Sequence, residues 1–116
     1  MVNMNLFQIK NSFVLTIFGA SGDLAKLKLF PALYSLASQN RFPKNFYIIG
    51  YARSPQSRKQ FQKDFEISIK KVHPKANKKT LKQLTDSLYY FQGQYNKKDD
   101  FERLHDFIKE TTGKNN

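Results

Sequence analysis

Residues 13–52 contain two short apolar runs with a helical pattern between them, an order of elements that occurs in few fold classes. The first run, residues 13–18, is β-branched and aromatic and stops at Gly19, which predicts a buried strand. Because this run lacks polar alternation, it is typical of a central parallel strand that is covered on both faces. The second run, residues 46–52, has the same character and predicts a strand that ends near Arg53.

The helical pattern between these strands begins near Asp23. Proline lacks an amide hydrogen and crowds the preceding turn, so Pro31 predicts a helix that bends there or consists of two short pieces. Residues 41–45 are predicted to form a loop. The apolar positions that recur at helical intervals, and so predict the buried face, are Leu24, Leu27, Leu29, Phe30, Leu33, Leu36 and Ala37.

The remainder of the chain repeats the alternation. Ser54 and Pro55 predict the cap and first turn of a second helix, and a short helix over residues 80–87 precedes a third strand over residues 88–92. Asn96 or Asp99 is expected to cap a last helix that stops at Gly113. The residues expected to face inward are Phe61, Phe65, Ile69 and Val72 on the second helix, Leu81 and Leu84 on the short helix, and Phe101, Leu104, Phe107 and Ile108 on the last.

Strands that alternate with helices imply parallel strands joined by right-handed crossovers. We therefore predict an α/β fold, a partial Rossmann-like parallel sheet with strand order 3-2-1, flanking helices and the C-terminal half of the fold absent. Length favours one domain. Residues 1–12 are expected to be a polar leader, and residues 13–116 one incomplete domain of this fold.

Composition excludes some sites and localisations. The chain has no cysteine, so it forms neither a disulfide nor a thiolate metal site, and a reducing, cytoplasmic location is expected. Its apolar runs are too short to span a membrane, and no export signal is evident. A net charge of +11 could attract any polyanion, but the lysines, scattered over residues 59–82, fit solvated helix faces better than a nucleic-acid patch.

The turn between the first strand and its helix reads Gly19-Ala20-Ser21-Gly22-Asp23-Leu24-Ala25. Free amides and the positive end of the helix dipole attract anions, and glycines let a pyrophosphate approach the main chain. The spacing Gly-x-x-Gly-x-x-Ala is weak evidence alone, since the commoner fingerprint is Gly-x-Gly-x-x-Gly. Its position between a strand and a helix predicts a dinucleotide site, with a purely structural turn as the alternative.

The end of the second strand bears on which dinucleotide binds. NAD-binding units place an acidic residue there, whereas this chain has Arg53, whose planar guanidinium suits a 2′-phosphate. NADP is therefore favoured over NAD. Arg58 is a weaker second candidate, and an exposed strand-end charge is the alternative interpretation of Arg53.

Three stretches resemble the glucose-6-phosphate dehydrogenase family. They are residues 17–33, with Leu27 where the family usually has a basic residue; residues 50–54; and Gly93-Gln94-Tyr95. The resemblance implies oxidation of glucose 6-phosphate to a phosphogluconolactone in the pentose phosphate route, with NADP as oxidant. It also implies that Arg53 holds the 2′-phosphate, that Lys28 lies on the substrate side, and that Gln94 and Tyr95 lie near the adenosine half. The residues implied to line the pyrophosphate are Gly19, Ala20, Ser21, Gly22, Asp23, Leu24, Ala25 and Lys26.

The family's catalytic and substrate-binding residues come later than the end of this sequence. Neither His73 nor His105 matches the family's base, so we expect no catalytic residue, no metal site and no turnover by this chain alone. Glucose 6-phosphate is expected to bind only with the missing remainder. An unpaired edge on the first strand predicts self-association. The alternative function is a non-enzymatic basic module that binds nucleic acid or another polyanion.

Overall fold

A computed structural model describes residues 13–113 of the chain. The predicted leader, residues 1–12, lies outside the described residues. Along the chain the elements are strand β1 (Phe13–Phe18), a π-helical turn (Ala25–Leu29), helix α1 (Phe30–Ser38), strand β2 (Phe46–Ala52), helices α2 (Arg58–Val72) and α3 (Lys78–Asp86), strand β3 (Leu88–Gln92) and helix α4 (Lys98–Gly113). No helix within the described part of the chain is long and apolar enough to cross a membrane.

The three strands form one parallel sheet in the order β1-β2-β3, which confirms the predicted order 3-2-1. Phe18 of β1 pairs with Tyr51 of β2, and Ala52 of β2 pairs with Gln92 of β3. This register brings the carboxyl ends of all three strands to one edge of the sheet, where ligands bind in open α/β folds.

Helices cover both faces of the sheet, as a run of apolar residues without polar alternation predicts. On one face, Phe30, Phe61 and Phe65 pack against Ile48. On the other, Leu104 of α4 packs against Ile49 and Tyr51. Full burial of each such side chain stabilises the fold by about 1.5–3 kcal/mol, so β2 is the centre of the core.

The first helix contains a π-helical turn that passes directly into helix α1, and the bend or division predicted from Pro31 stays a prediction. The amide of Phe30 donates to the carbonyl of Ala25, five residues earlier. Pro31 falls in the first turn of α1, where a missing amide hydrogen is tolerated. The wider π turn changes the angular spacing of side chains. Consequently the predicted buried face is wrong at Leu24, Leu27 and Leu29, whose side chains are 71%, 63% and 41% exposed.

The second helix starts three residues later than predicted. Its N-cap is Ser57, whose hydroxyl accepts a hydrogen bond from the Gln60 amide at 3.0 Å, and not Ser54. Ser54 and Pro55 lie in the loop that precedes the helix. Phe61, Phe65 and Ile69 are buried as expected, but Val72 is exposed because it occupies the last turn.

Smaller differences affect the last two helices. Helix α3 begins at Lys78, before the predicted start at residue 80, because the Asn77 side chain accepts from the Thr80 amide and caps it. In α4, Leu104 is buried as predicted. Phe101 is instead partly exposed, since it lies over Phe18 and Tyr51 at the margin of the sheet.

Candidate functional site

Backbone hydrogen bonds tie the three strand ends together at the carboxyl edge. The Gly19 amide, just after β1, donates to the Tyr51 carbonyl of β2 at 2.8 Å. The Gly93 amide, just after β3, donates to the Ala52 carbonyl at 2.9 Å. These hydrogen bonds therefore fix, relative to one another, the starting points of the loops that carry the predicted binding residues.

The turn after β1 has the backbone geometry of an anion cradle. Gly19 adopts a φ of +74°, a left-handed conformation that favours glycine, and its carbonyl accepts from the Gly22 amide at 2.9 Å. The amides of Gly19 and Ala20 both donate to Tyr51. Those of Ser21, Asp23 and Leu24 have no acceptor among residues 13–113. These three amides at the helix start are the donors that a phosphate could take.

Not all of the predicted pyrophosphate-lining residues present side chains to a ligand. Ala20 and Ala25 are buried, and Ala25 sits at the start of the π turn, where its small size allows the helix to pack closely on the sheet. Gly22 has room only for glycine or a slightly strained alanine, since an added Cβ would lie 3.2 Å from the Gly19 carbonyl oxygen. The turn thus offers main chain rather than side chains to an incoming group.

The polar side chains of the turn are accessible. Asp23 and Lys28 are exposed, and Ser21 and Lys26 are half-buried. The Lys26 amide donates to the Gly22 carbonyl at 3.2 Å and so closes the first helical turn. Both lysines lie on the π-helical turn, within 10 residues of Gly19 in sequence, so they add positive charge to the amide cradle.

Arg53 follows the last residue of β2 and is exposed. The carbonyl of Tyr51, two residues earlier, accepts hydrogen bonds from the glycine turn. The end of β2 therefore connects Arg53 to that turn. No ion pair among residues 13–113 includes Arg53. Its exposed guanidinium is therefore not held by a carboxylate of the described residues.

The weaker candidate, Arg58, is engaged elsewhere. Its guanidinium donates to the carbonyls of Leu88 at 2.8 Å and Asp86 at 2.9 Å, and it lies 4.0 Å above the Tyr89 ring. These contacts join α2 to the start of β3. Arg58 therefore has a structural role between α2 and β3, and its assignment as a second phosphate ligand stays a prediction.

Gln94 and Tyr95 lie beside the turn in different ways. The main chain of Gln94 is held on both sides: its amide donates to Asp100 at 2.7 Å, and its carbonyl accepts from the Tyr51 hydroxyl at 2.7 Å. Tyr95 is 44% exposed, and its hydroxyl would lie 3.7 Å from a Cβ added to Gly19. Tyr95 thus stands over the glycine turn, where it could contact a bound group.

Two ionisable groups maintain this arrangement. The hydrogen bond from the Gln94 amide, followed by that from Arg103, lowers the pKa of Asp100, which is therefore a carboxylate at neutral pH. Burial, assisted by the charge of Asp100, raises the pKa of Tyr51, so its hydroxyl stays protonated and donates. The role of Asp100 was not predicted, although an acidic residue in the first turn of a helix is a recognisable sequence signal.

Neither histidine lies in the loops that follow the three strands. His73 caps α2, lies against the Tyr34 ring at a centroid distance of 4.9 Å and has its Nε2 3.4 Å from the Ser35 hydroxyl. His105 is exposed on α4. Among residues 13–113, no group of three or more His, Asp or Glu side chains could hold a metal ion.

The chain matches the family model described as "Glucose-6-phosphate dehydrogenase, NAD binding domain" over residues 16–116. It is 40% identical over 106 residues to glucose-6-phosphate 1-dehydrogenase of Schizosaccharomyces pombe, covering 90% of this chain and 21% of the relative. It is 38% identical over 109 residues to the Caenorhabditis elegans protein of the same name, covering 90% and 20%.

Two solved structures of glucose-6-phosphate dehydrogenases are also similar to this chain. A glucose-6-phosphate dehydrogenase in complex with its substrate glucose-6-phosphate superimposes with a TM-score of 0.82 at 31% identity, covering 93% of this chain and 22% of that one. Glucose-6-phosphate 1-dehydrogenase from Mycobacterium avium gives a TM-score of 0.73 at 26% identity, covering 84% and 21%. The chain thus spans about a fifth of the length of these relatives. It belongs to the glucose-6-phosphate dehydrogenase family and corresponds to the NAD binding domain of that family.

Proposed function

We propose that this chain is the NADP-binding portion of a glucose-6-phosphate dehydrogenase. The observation that carries the proposal is the set of open amides at Ser21, Asp23 and Leu24, which follow a left-handed Gly19 at the carboxyl edge of a parallel sheet. Such an edge binds the pyrophosphate of a dinucleotide. When bound, NADP supplies the oxidant for the oxidation of glucose 6-phosphate.

The chain's own residues have separate roles in this proposal. Ser21, Asp23 and Leu24 bind the pyrophosphate through their amides, and Lys26 adds positive charge beside them. Arg53 binds the 2′-phosphate, and Lys28 extends toward the substrate side. No residue between 13 and 113 is assigned as the base: His73 packs on Tyr34, far along α2, and His105 is exposed on α4. We therefore propose that glucose 6-phosphate is oxidised only together with the rest of such an enzyme.

Arg53→Ala tests the cofactor assignment by calorimetry with NADP and with NAD at fixed salt. Because charge-assisted hydrogen bonds contribute about 1.5–3 kcal/mol, NADP affinity is expected to fall by about 10- to 150-fold while NAD affinity stays unchanged. Lys71→Ala, which removes an exposed charge at the opposite end of α2, is the control and is expected to change neither affinity. Equal affinity of the original chain for NADP and NAD would contradict the assignment.

The alternative function, polyanion binding, is favoured by the exposed lysines of α2 and α3. Such binding weakens steeply as salt rises. It favours NADP over NAD only through the extra charge of the 2′-phosphate, so this preference fades as salt rises and does not depend on Arg53. Binding that follows salt alone and is lost in Lys71→Ala would favour this alternative over the dinucleotide site.

A further inference from the structure

The loop that carries Arg53, residues 53–57, is held from the side by strand β3. The Gln92 side-chain amide donates to the Arg53 carbonyl at 3.0 Å. The Tyr90 hydroxyl donates to the Ser54 carbonyl. Both bonds are made to the main chain of the loop, so they fix its path and leave the Arg53 side chain available.

Tyr90 is well placed to hold this loop. Its ring packs against Phe61 of α2 at a centroid distance of 5.0 Å, which fixes the position of the hydroxyl. The side chain of Gln56, a second point on the loop, lies near the same hydroxyl. Burial raises the pKa of Tyr90, so the phenol remains a donor throughout the neutral range.

The loop is also connected to the glycine turn through a rigid path. Gln92 pairs with Ala52, whose carbonyl accepts from the Gly93 amide, and the neighbouring Tyr51 carbonyl accepts from Gly19. Each step of this path is a backbone contact at the carboxyl edge. The distance between the pyrophosphate cradle and Arg53 is therefore set by β2 and β3 and not by a free loop.

We propose that Tyr90 and Gln92 are positioning residues that hold Arg53 in place for the cofactor 2′-phosphate and so set the preference for NADP over NAD. The inference rests on the proposed function, because it requires that Arg53 bind that phosphate. It assigns a role in cofactor choice to two side chains that do not themselves touch the cofactor. Preorganisation of a charged group raises affinity by removing the cost of ordering it on binding.

Tyr90→Phe and Gln92→Met test the proposal in the full chain. Phenylalanine keeps the ring against Phe61 and methionine keeps the length of glutamine, but neither donates a hydrogen bond. Each change is expected to raise the dissociation constant for NADP by about 3- to 10-fold, and to leave that for NAD unchanged. Tyr89→Phe is the matched control: Tyr89 lies on the other side of β3 beneath Arg58, and its replacement is expected to leave both constants unchanged.

The decisive comparison repeats both changes in the Arg53→Ala background. Residues that act through Arg53 lose their effect there, whereas residues that merely support the fold keep it. Hydrogen exchange of the loop amides of Arg53, Ser54, Gln56 and Ser57, measured without cofactor, is expected to quicken in Tyr90→Phe and not in Tyr89→Phe. A ratio of NADP to NAD affinity that is unchanged by both substitutions would overturn this inference alone. Failure of the original chain to prefer NADP would overturn the proposed function, and the inference with it.

Discussion

Adding a methyl group to Gly50 tests how the glycine turn is packed onto the sheet. Gly50 lies in β2 between helix α2 and the turn after β1. A Cβ there would lie 2.7 Å from Cε2 of Phe61, closer still to its Cζ, and 2.8 Å from the Cβ of Ala20. Phe61 is 1% exposed and Ala20 is fully buried, so neither side chain can move into solvent.

The magnitude follows from two opposing effects. Overpacking a rigid core costs about 1–3 kcal/mol, and two buried neighbours place this site in the upper half of that range. Replacing glycine by alanine in a strand reduces the conformational entropy that the chain loses on folding, which stabilises the fold by about 0.5–1 kcal/mol. Gly50→Ala is therefore expected to lower the free energy of unfolding by about 1–2.5 kcal/mol, which lowers Tm by roughly 4–10 °C for a chain of this size.

Urea unfolding followed by circular dichroism measures this difference. Gly22→Ala is the control, because its Cβ would meet only one carbonyl oxygen at 3.2 Å on an exposed turn, and a change within about 0.5 kcal/mol is expected. Adding Phe61→Leu removes the ring atoms that clash, so the double variant is expected to lose less stability than the sum of the single changes. A Gly50→Ala variant as stable as the original chain, or strictly additive losses, would refute the reasoning.

Two further predictions concern Ser57 and Asp100, whose roles were not predicted from the sequence. Ser57→Ala removes the N-cap of α2 and is expected to cost about 0.5–2 kcal/mol in urea unfolding, whereas Ser54→Ala, at the position expected from sequence, is expected to cost almost nothing; equal losses would contradict the capping assignment. The pKa of Asp100 is lowered in the fold, so its stabilising effect is complete above the ordinary aspartate pKa of about 3.9 and is lost as the pH falls through the lower folded value. Thermal melts from pH 7 to pH 2 are therefore expected to lose stability on acidification less steeply in Asp100→Asn than in the original chain, and parallel curves would contradict this.

The sequence predicted the sheet better than it predicted helix boundaries. Buried strands such as β2 are recognisable because their apolar runs are local features. Capping depends on which of several serines meets a free amide, so Ser54 and Ser57 were indistinguishable in sequence.

The same distinction holds within the site. The glycine turn and Arg53 were evident from their places after β1 and β2, since residue type and order carry that signal. The roles of Tyr90 and Gln92 could not be predicted from the sequence, because they depend on hydrogen bonds between residues that are distant along the chain. Tyr90 bonds to Ser54, 36 positions earlier, and Gln92 bonds to Arg53, 39 positions earlier. The exposure of Leu24 and Leu27 was equally hidden, since a π-helical turn changes the spacing on which helical periodicity relies.

The central claim is that main-chain amides at the start of the first helix bind the cofactor's pyrophosphate. An amide-resolved NMR titration of the chain with NADP measures this directly, with NAD and inorganic phosphate as comparison ligands. The account predicts saturable shifts centred on the amides of Ser21, Asp23 and Leu24, with a second group near Arg53 for NADP only. Shifts confined to the lysine-bearing faces of α2 and α3, with the turn unaffected, would contradict it.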